Sequence, residues 1–313
     1  SMTKKHVLLL AWLFCMHGYG QTREGSSLLW EISGSDLTQP SYLFGTLHYI
    51  EKKKFFMPEA LVERFQACRI LMTENGGLVN RYVPPETVSK LYKRRYLLPQ
   101  QRRLQEFLSA EQLDSLMAYI DRIKLPRRYY KYLFRYKPMA AGGMLSSHRN
   151  RIGASTGYEH EFFKMVAQRN KNGTASKAMI MMNLEEYKET VNILDSISVE
   201  HQVGILMKDI ATDCQEYPAI VEAYMKQDIE LLHRLGNDDI TVQTLLLDHR
   251  NQNWIPKIEK YIRSQRTFIA VGAAHLAGKN GLIQLLKNKG YELRPIYLST
   301  DSQAPDIDQL YLK

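Results

Sequence analysis

The sequence predicts a single α/β domain, with strands at the two ends of the chain and helices filling the middle. Three observations carry this. Short apolar runs that close on a glycine or a polar residue lie near both ends, at 27–48, 69–74 and 266–272. Helical spacing of apolar residues dominates 86 to about 150 and continues through much of 187–264. No repeat or low-complexity linker divides the 313 residues, a length that one large domain can fill.

Residues 1–20 are expected to be a signal peptide and 21–313 the domain itself. Lys4 and Lys5 form a positive n-region, Val7 to Phe14 an apolar h-region, and Gly18 and Gly20 supply small residues before Gln21. Eight apolar residues are too few to cross a bilayer core of ~30 Å as a helix. Trp12-Leu13-Phe14 is a poor run-up to a lipidated Cys15, so lipoprotein attachment is disfavoured. No other stretch reads as transmembrane. The expectation is an exported chain, periplasmic or secreted.

Within the domain, Ser27 to Ile32 and Ser41 to His48 read as two strands of a hairpin, with Gly34-Ser35-Asp36 turn-like between them. Pro58 to Cys68 is helical. Arg69 to Glu74 is a buried strand with a polar tip. Strand, helix, strand implies a crossover and parallel pairing. Ser109 to Gln112 offers a capping box ahead of Leu113 and Leu116, and Pro126 and Pro138 interrupt the helical run. Glu159 to Arg169 is a further helix, and Lys177 to Met182 a short apolar strand. Thr241 to Ser264 is helical, with a break expected at Pro256. Arg266 to Gly272 has the strongest parallel-strand character in the chain, being β-branched, apolar and closed by glycine. A short helix over 280–288 and a strand over 291–297 finish the fold.

The formal charge is +9, and +7 once Lys4 and Lys5 are removed. The cations are scattered over 52–54, 93–95, 102–103 and 127–128, which reads as solvated surface. Together with export, this argues against specific nucleic-acid binding. Cys68 and Cys214 remain after the leader, so a disulfide and a pair of buried thiols are both open.

The chemistry centres on two Gly-x-x-His segments, Gly45–His48 and Gly272–His275. Each histidine falls at or just beyond the carboxyl end of a strand, where open α/β sheets build their sites. Glycine three residues earlier allows a tight turn or a close approach. Glu74 ends a third strand in the same way. Two histidines and a carboxylate can hold zinc, or another divalent metal such as manganese or cobalt, with positions left for water. Glu74 could instead act as general base. His160-Glu161-Phe162-Phe163-Lys164 lacks the second histidine of a zinc-protease helix and reads as an acidic first turn.

These segments resemble the TraB/GumN family, which also includes PrgY-like pheromone-shutdown proteins and the Tiki proteases. The likeness rests on Trp30 with Tyr42 to His48, on Leu71 to Glu74, on Arg250 to Trp254, and on Phe268 to Gly278 with Gly281-Leu282 and Gly290-Tyr291. Lys137-Pro138 and Gly157-Tyr158-Glu159 add looser landmarks. The resemblance implies a split, mixed β-sheet flanked by helices, with about 86–150 as a helical insertion. It also implies metal-dependent hydrolase or peptidase chemistry on peptide or protein substrates. By matched position, His48, Glu74 and His275 would hold the metal and carry the reaction. Gly45, Gly272, Glu159, Arg250 and Asn251 would support them.

The sequence departs from the family's pattern once. Asn183 stands where a glutamate is usual after the middle strand, unless the register shifts by two and Glu185 fills that role. A neutral Asn183 would leave a binding protein that sequesters a peptide, haem or metal, in the manner of ChaN-like haem-binding proteins, as the alternative to an extracytoplasmic hydrolase. A surface-interaction protein using aromatic stretches such as 128–132 is a third reading.

Overall fold

The computed structural model describes residues 25–300 except 35, 76–83, 153–154, 175–176 and 237. The expected leader with Cys15, and Ser35 of the expected turn, lie outside the described residues.

Eight strands form among the described residues: β1 Leu29–Ser33, β2 Ser41–Thr46, β3 Ile50–Glu51, β4 Ile70–Thr73, β5 Ser155–Thr156, β6 Ile180–Asn183, β7 Thr267–Gly272 and β8 Glu292–Ile296. Six of them make one mixed sheet in the order β6-β4-β7-β2-β1-β8, and β3 pairs with β5 apart from it. β6, β4, β7 and β2 run parallel, while β1 is antiparallel to both β2 and β8. β2 and β4 are buried along their whole length, and β7 up to Val271. Helices cover both faces of a parallel sheet, which is why these strands read as unbroken apolar runs.

The hairpin of β1 and β2 forms as expected, with Leu29 opposite Phe44. The crossover does not pair the strands it joins. Helix Glu59–Gln66 links β2 to β4, but β7 lies between them and is parallel to each. A strand from the far end of the chain thus splits the unit. β2 also stops at Thr46, so His48 stands two residues past the strand rather than on its tip.

The expected break at Pro256 is absent. Helix His249–Ser264 runs through it, and the irregularity falls earlier, in a π turn over Thr244–Asp248. Pro256 and Gln252 both face solvent, so the carbonyl that loses its partner can be hydrated.

The middle insertion contains helices Pro85–Tyr96, Ala110–Arg122 and Pro138–Arg149. Ser109 and Gln112 form the reciprocal cap expected for the second of these. The insertion has its own apolar cluster around Leu104, Leu116, Ile120, Leu133 and Leu145, completed by Leu206 and Ile210 of helix Val199–Ala211. The two cysteines among the described residues are free and buried: Cys68 in the sheet core, Cys214 in this second cluster. Among the described residues, no helix is long and apolar enough to cross a membrane.

Candidate active site

Because β2, β4 and β7 are parallel, their carboxyl ends share one edge of the sheet. Each delivers one expected residue to that edge. Glu74 follows β4 directly. Its Oε1 accepts the Gly272 N–H at 2.8 Å, and its Oε2 accepts from Arg250 Nη2 at 2.7 Å. His275 Nε2 lies 3.7 Å from Glu74 Oε1. A Cβ built on Gly272 would sit 3.3 Å from Glu74 Oε1, 3.7 Å from His275 Cδ2 and 3.8 Å from His48 Nε2. One point, left open because residue 272 is glycine, is therefore in contact range of all three side chains.

Gly45 does a different job. A Cβ there would lie 2.7 Å from Leu276 Cδ1 and 3.0 Å from Ala273 Cα. Its missing side chain lets the Ala273–His275 turn close against β2, which seats His275. The two glycines of the paired motifs thus divide the work: one shapes the packing, the other opens the site.

His275 is buried and its tautomer is fixed. Its Nδ1 lies 2.7 Å from Asn251 Oδ1, while Asn251 Nδ2 donates to the His275 carbonyl at 3.3 Å and to the Asn280 carbonyl at 2.9 Å. With the amide donating to two carbonyls, its oxygen must accept, so Nδ1 carries the proton and Nε2 the lone pair. Burial is the main cause that pushes the His275 pKa down, to about 3; Arg250 adds to it and Glu74 opposes it. The ring is therefore neutral, with the Nε2 lone pair rather than a proton on the side of Glu74.

His48 is the opposite case. Its Nδ1 lies 3.0 Å from Glu159 Oε1, and Thr46 Oγ1 hydrogen-bonds the same oxygen. Burial pulls its pKa down, but the charge and hydrogen bond of Glu159, helped by Glu74, outweigh that and raise it to about 9. The side chain is 58% exposed, so solvent screens part of this attraction. Glu159 turns the His48 ring so that Nε2 points toward the space at Gly272.

Glu74 is a poor base in this setting. Burial would raise its pKa, but the charges of Arg250 and His48 and the Gly272 N–H hold it well below the usual carboxylate range. Arg250 is the hub of the remaining contacts. Its Nε and Nη2 reach Glu185 at 2.6–3.1 Å, its Nη1 donates to the Leu246 carbonyl at 3.0 Å, and Nη1 lies 3.4 Å from His275 Nε2. Leu246 belongs to the π turn, so the helix irregularity supplies an acceptor to the site. Trp254 donates its indole N–H to Glu185 at 3.1 Å, with the Arg250 guanidinium and the His275 ring each 4.7 Å from its own ring.

The second carboxylate of the network is Glu185, and Asn183 has no part in it. Asn183 ends β6 beside Thr73, with Oδ1 buried and without a hydrogen-bond partner. Glu185, two residues further along the chain, bonds Arg250 instead. Trp254 is the contributor whose role sequence reasoning missed; its spacing, four residues after Arg250 on the same helix face, is the signal that could have found it.

His48, Glu74, Glu159 and Arg250 line a cleft of about 810 Å³ whose other walls include Tyr49, Tyr96, Tyr187, Lys52, Arg95 and Lys164. His275 lies behind Glu74 and is not among the lining residues. As the side chains stand, no group of three or more His, Cys, Asp or Glu among the described residues is gathered tightly enough to hold a metal ion. The donor types nonetheless suit a divalent ion: the neutral His275 imidazole, the Glu74 carboxylate and the His48 imidazole, which must give up the proton Glu159 favours in order to bind, face one open point. Closing them on an ion requires side-chain movement.

Two curated proteins are similar over most of this chain. Metalloprotease TIKI2 of Danio rerio is 22% identical over 338 residues, covering 91% of this chain and 63% of its own length. Metalloprotease TIKI1 of Danio rerio is 23% identical over 322 residues, covering 86% and 63%. The chain thus spans less than two thirds of either relative. No solved structure matches it significantly. A family model matches residues 28–295, from the start of the hairpin to the last strand and through every residue of the site. By that match, the protein belongs to the TraB/PrgY/gumN family.

Proposed function

We propose that the protein is a metal-dependent hydrolase acting on peptides outside the cytoplasm. The observation that carries the reading is the convergence of His48, Glu74 and His275 on the open space at Gly272, with His48 and Glu74 also lining a cleft of about 810 Å³. The similarity to two proteins named metalloproteases supports it. The apolar run and small residues of 1–20 support export.

His48 Nε2, a Glu74 oxygen and His275 Nε2 would hold a divalent ion such as zinc, manganese or cobalt. Such an ion, when bound, supplies Lewis acidity toward a scissile carbonyl and makes water more acidic. The protein's own groups do the rest. Asn251 keeps the lone pair of His275 on Nε2. Glu159 holds His48 in register from the other side. Arg250 balances the charges of Glu74 and Glu185 and is positioned to steady negative charge that develops beside it. Glu74, held strongly acidic, serves as a charge-bearing ligand rather than a general base.

The test is metal content and turnover of a peptide library by the wild type against His48→Ala and His275→Ala. Loss of both properties in both variants is expected. Unchanged metal content and turnover in both would sink the reading. Tight capture of a peptide, haem or metal without any cleavage would favour a sequestering protein instead.

A further inference from the structure

The cleft contains a cation that its surroundings leave available. We infer that Arg95 is a specificity residue that takes a carboxylate of the bound peptide. This deepens the hydrolase reading and rests on it for the peptide's presence in the cleft.

The acids that line the cleft are satisfied within the protein. Glu74 is held by Arg250 and the Gly272 N–H, Glu159 by His48 and Thr46, and Glu161 by Thr156 and Lys164. The neighbouring cations are matched too: Arg94 bonds Asp195 and Asn192, and Lys137 bonds Asp195. Arg95 differs. Among the described residues it has neither a carboxylate partner nor a hydrogen-bonded one. Its guanidinium lies over two rings instead, 5.3 Å from the centroid of Tyr96 and 5.4 Å from that of Tyr187, and all three residues line the cleft.

That setting is built for an anion. Two aromatic faces hold the guanidinium and limit its rotamers while leaving its N–H edge free, so little side-chain entropy remains to be lost on binding. The planar fork suits a carboxylate, which it can bind in bidentate fashion. Lys52 also lines the cleft but is exposed on a flexible stem, so it adds positive potential rather than a fixed site. A peptide carboxylate has two sources, an Asp or Glu side chain and a free C-terminus.

The experiment uses fluorescein-labelled heptapeptides in one alanine-rich background. Glu or Gln is placed at each position in turn, and the C-terminus is free or amidated. Binding is followed by anisotropy and cleavage by mass spectrometry, for the wild type, Arg95→Gln and Arg95→Lys. The expected result is a preference of roughly tenfold for one carboxylate position in the wild type. Arg95→Gln brings it to near unity with affinity for the neutral peptides kept, and Arg95→Lys retains part of it. A Glu-over-Gln preference identifies a side chain as the source, and an acid-over-amide preference identifies the terminus. Equal ratios in the wild type and Arg95→Gln overturn the inference. Peptides that are cut without dependence on Arg95 sink this inference alone. Peptides bound with an Arg95-dependent preference but never cut sink the hydrolase reading alone.

Discussion

Asn251 Oδ1 sits 2.7 Å from His275 Nδ1, and the same amide's nitrogen donates to the carbonyl of His275 itself. One side chain thus grips both the ring and the backbone of a residue just past the end of β7. Second contacts of this kind commonly set the tautomer and basicity of a metal-binding imidazole. Asn251→Ala is expected to lower affinity for a divalent ion about 10- to 100-fold. Competition against a chromophoric chelator measures it. An unchanged dissociation constant would separate Asn251 from the site.

The two motif glycines should give different phenotypes. Gly45→Ala forces a Cβ to 2.7 Å from Leu276 Cδ1 and against the Ala273 backbone. Overpacking of that kind costs about 1–3 kcal/mol, so urea denaturation should show a clear loss of stability. Gly272→Ala places its methyl among Glu74, His275 and His48, where side chains can give. Its stability should change less, while metal binding and turnover fall sharply. A larger stability loss at Gly272 than at Gly45 would contradict the division of roles.

Arg250 faces two carboxylates, the buried Glu185 and the largely covered Glu74. Removing one partner of a buried ion pair leaves uncompensated charge and costs about 3–5 kcal/mol. Arg250→Met should therefore destabilise strongly. Adding Glu185→Gln should restore part of the loss, because one orphaned charge disappears. Denaturation of the single and double variants gives the coupling directly. Strict additivity would mean the contacts are independent.

Asp195 joins two cations near the cleft, bonding Lys137 and Arg94. Burial would raise its pKa, but the hydrogen bonds and charges of Lys137 and Arg94 outweigh that and lower it. A depressed folded-state pKa means stability is fully present above the unfolded value of about 3.9 and is lost as pH falls through the folded value. Asp195→Asn should cost about 1–3 kcal/mol at pH 7, in the range of charged hydrogen bonds. The gap between variant and wild type should close below about pH 4. Thermal melts from pH 7 to pH 3 test it, and a gap that widens on acidification would reverse the sign.

Much of the site could be read from particular residues. The apolar runs before Glu74 and Gly272 announced buried strands, and their polar ends announced an exposed edge. His48, Glu74, His275, Arg250, Asn251 and Glu159 all fall in one neighbourhood. The second carboxylate could not be assigned, because Asn183 and Glu185 differ only in register at the end of a short strand. Nor did the pattern distinguish Gly45 from Gly272, since spacing says that a side chain is absent and not what fills its place.

By itself, the sequence determined the six strands of the main sheet, their boundaries to within about three residues, and which residues stand near their carboxyl ends, but it missed the two-residue strands β3 and β5. Period, turn residues and apolarity are local properties, and local properties are written in order along the chain. Only the tertiary structure decided that β7 enters between β2 and β4. Strand order follows from long-range hydrogen bonding and packing between segments nearly two hundred residues apart, which no local pattern encodes. That insertion brings Gly272 beside both Thr46 and the end of β4, and so turns three separate strand ends into one site.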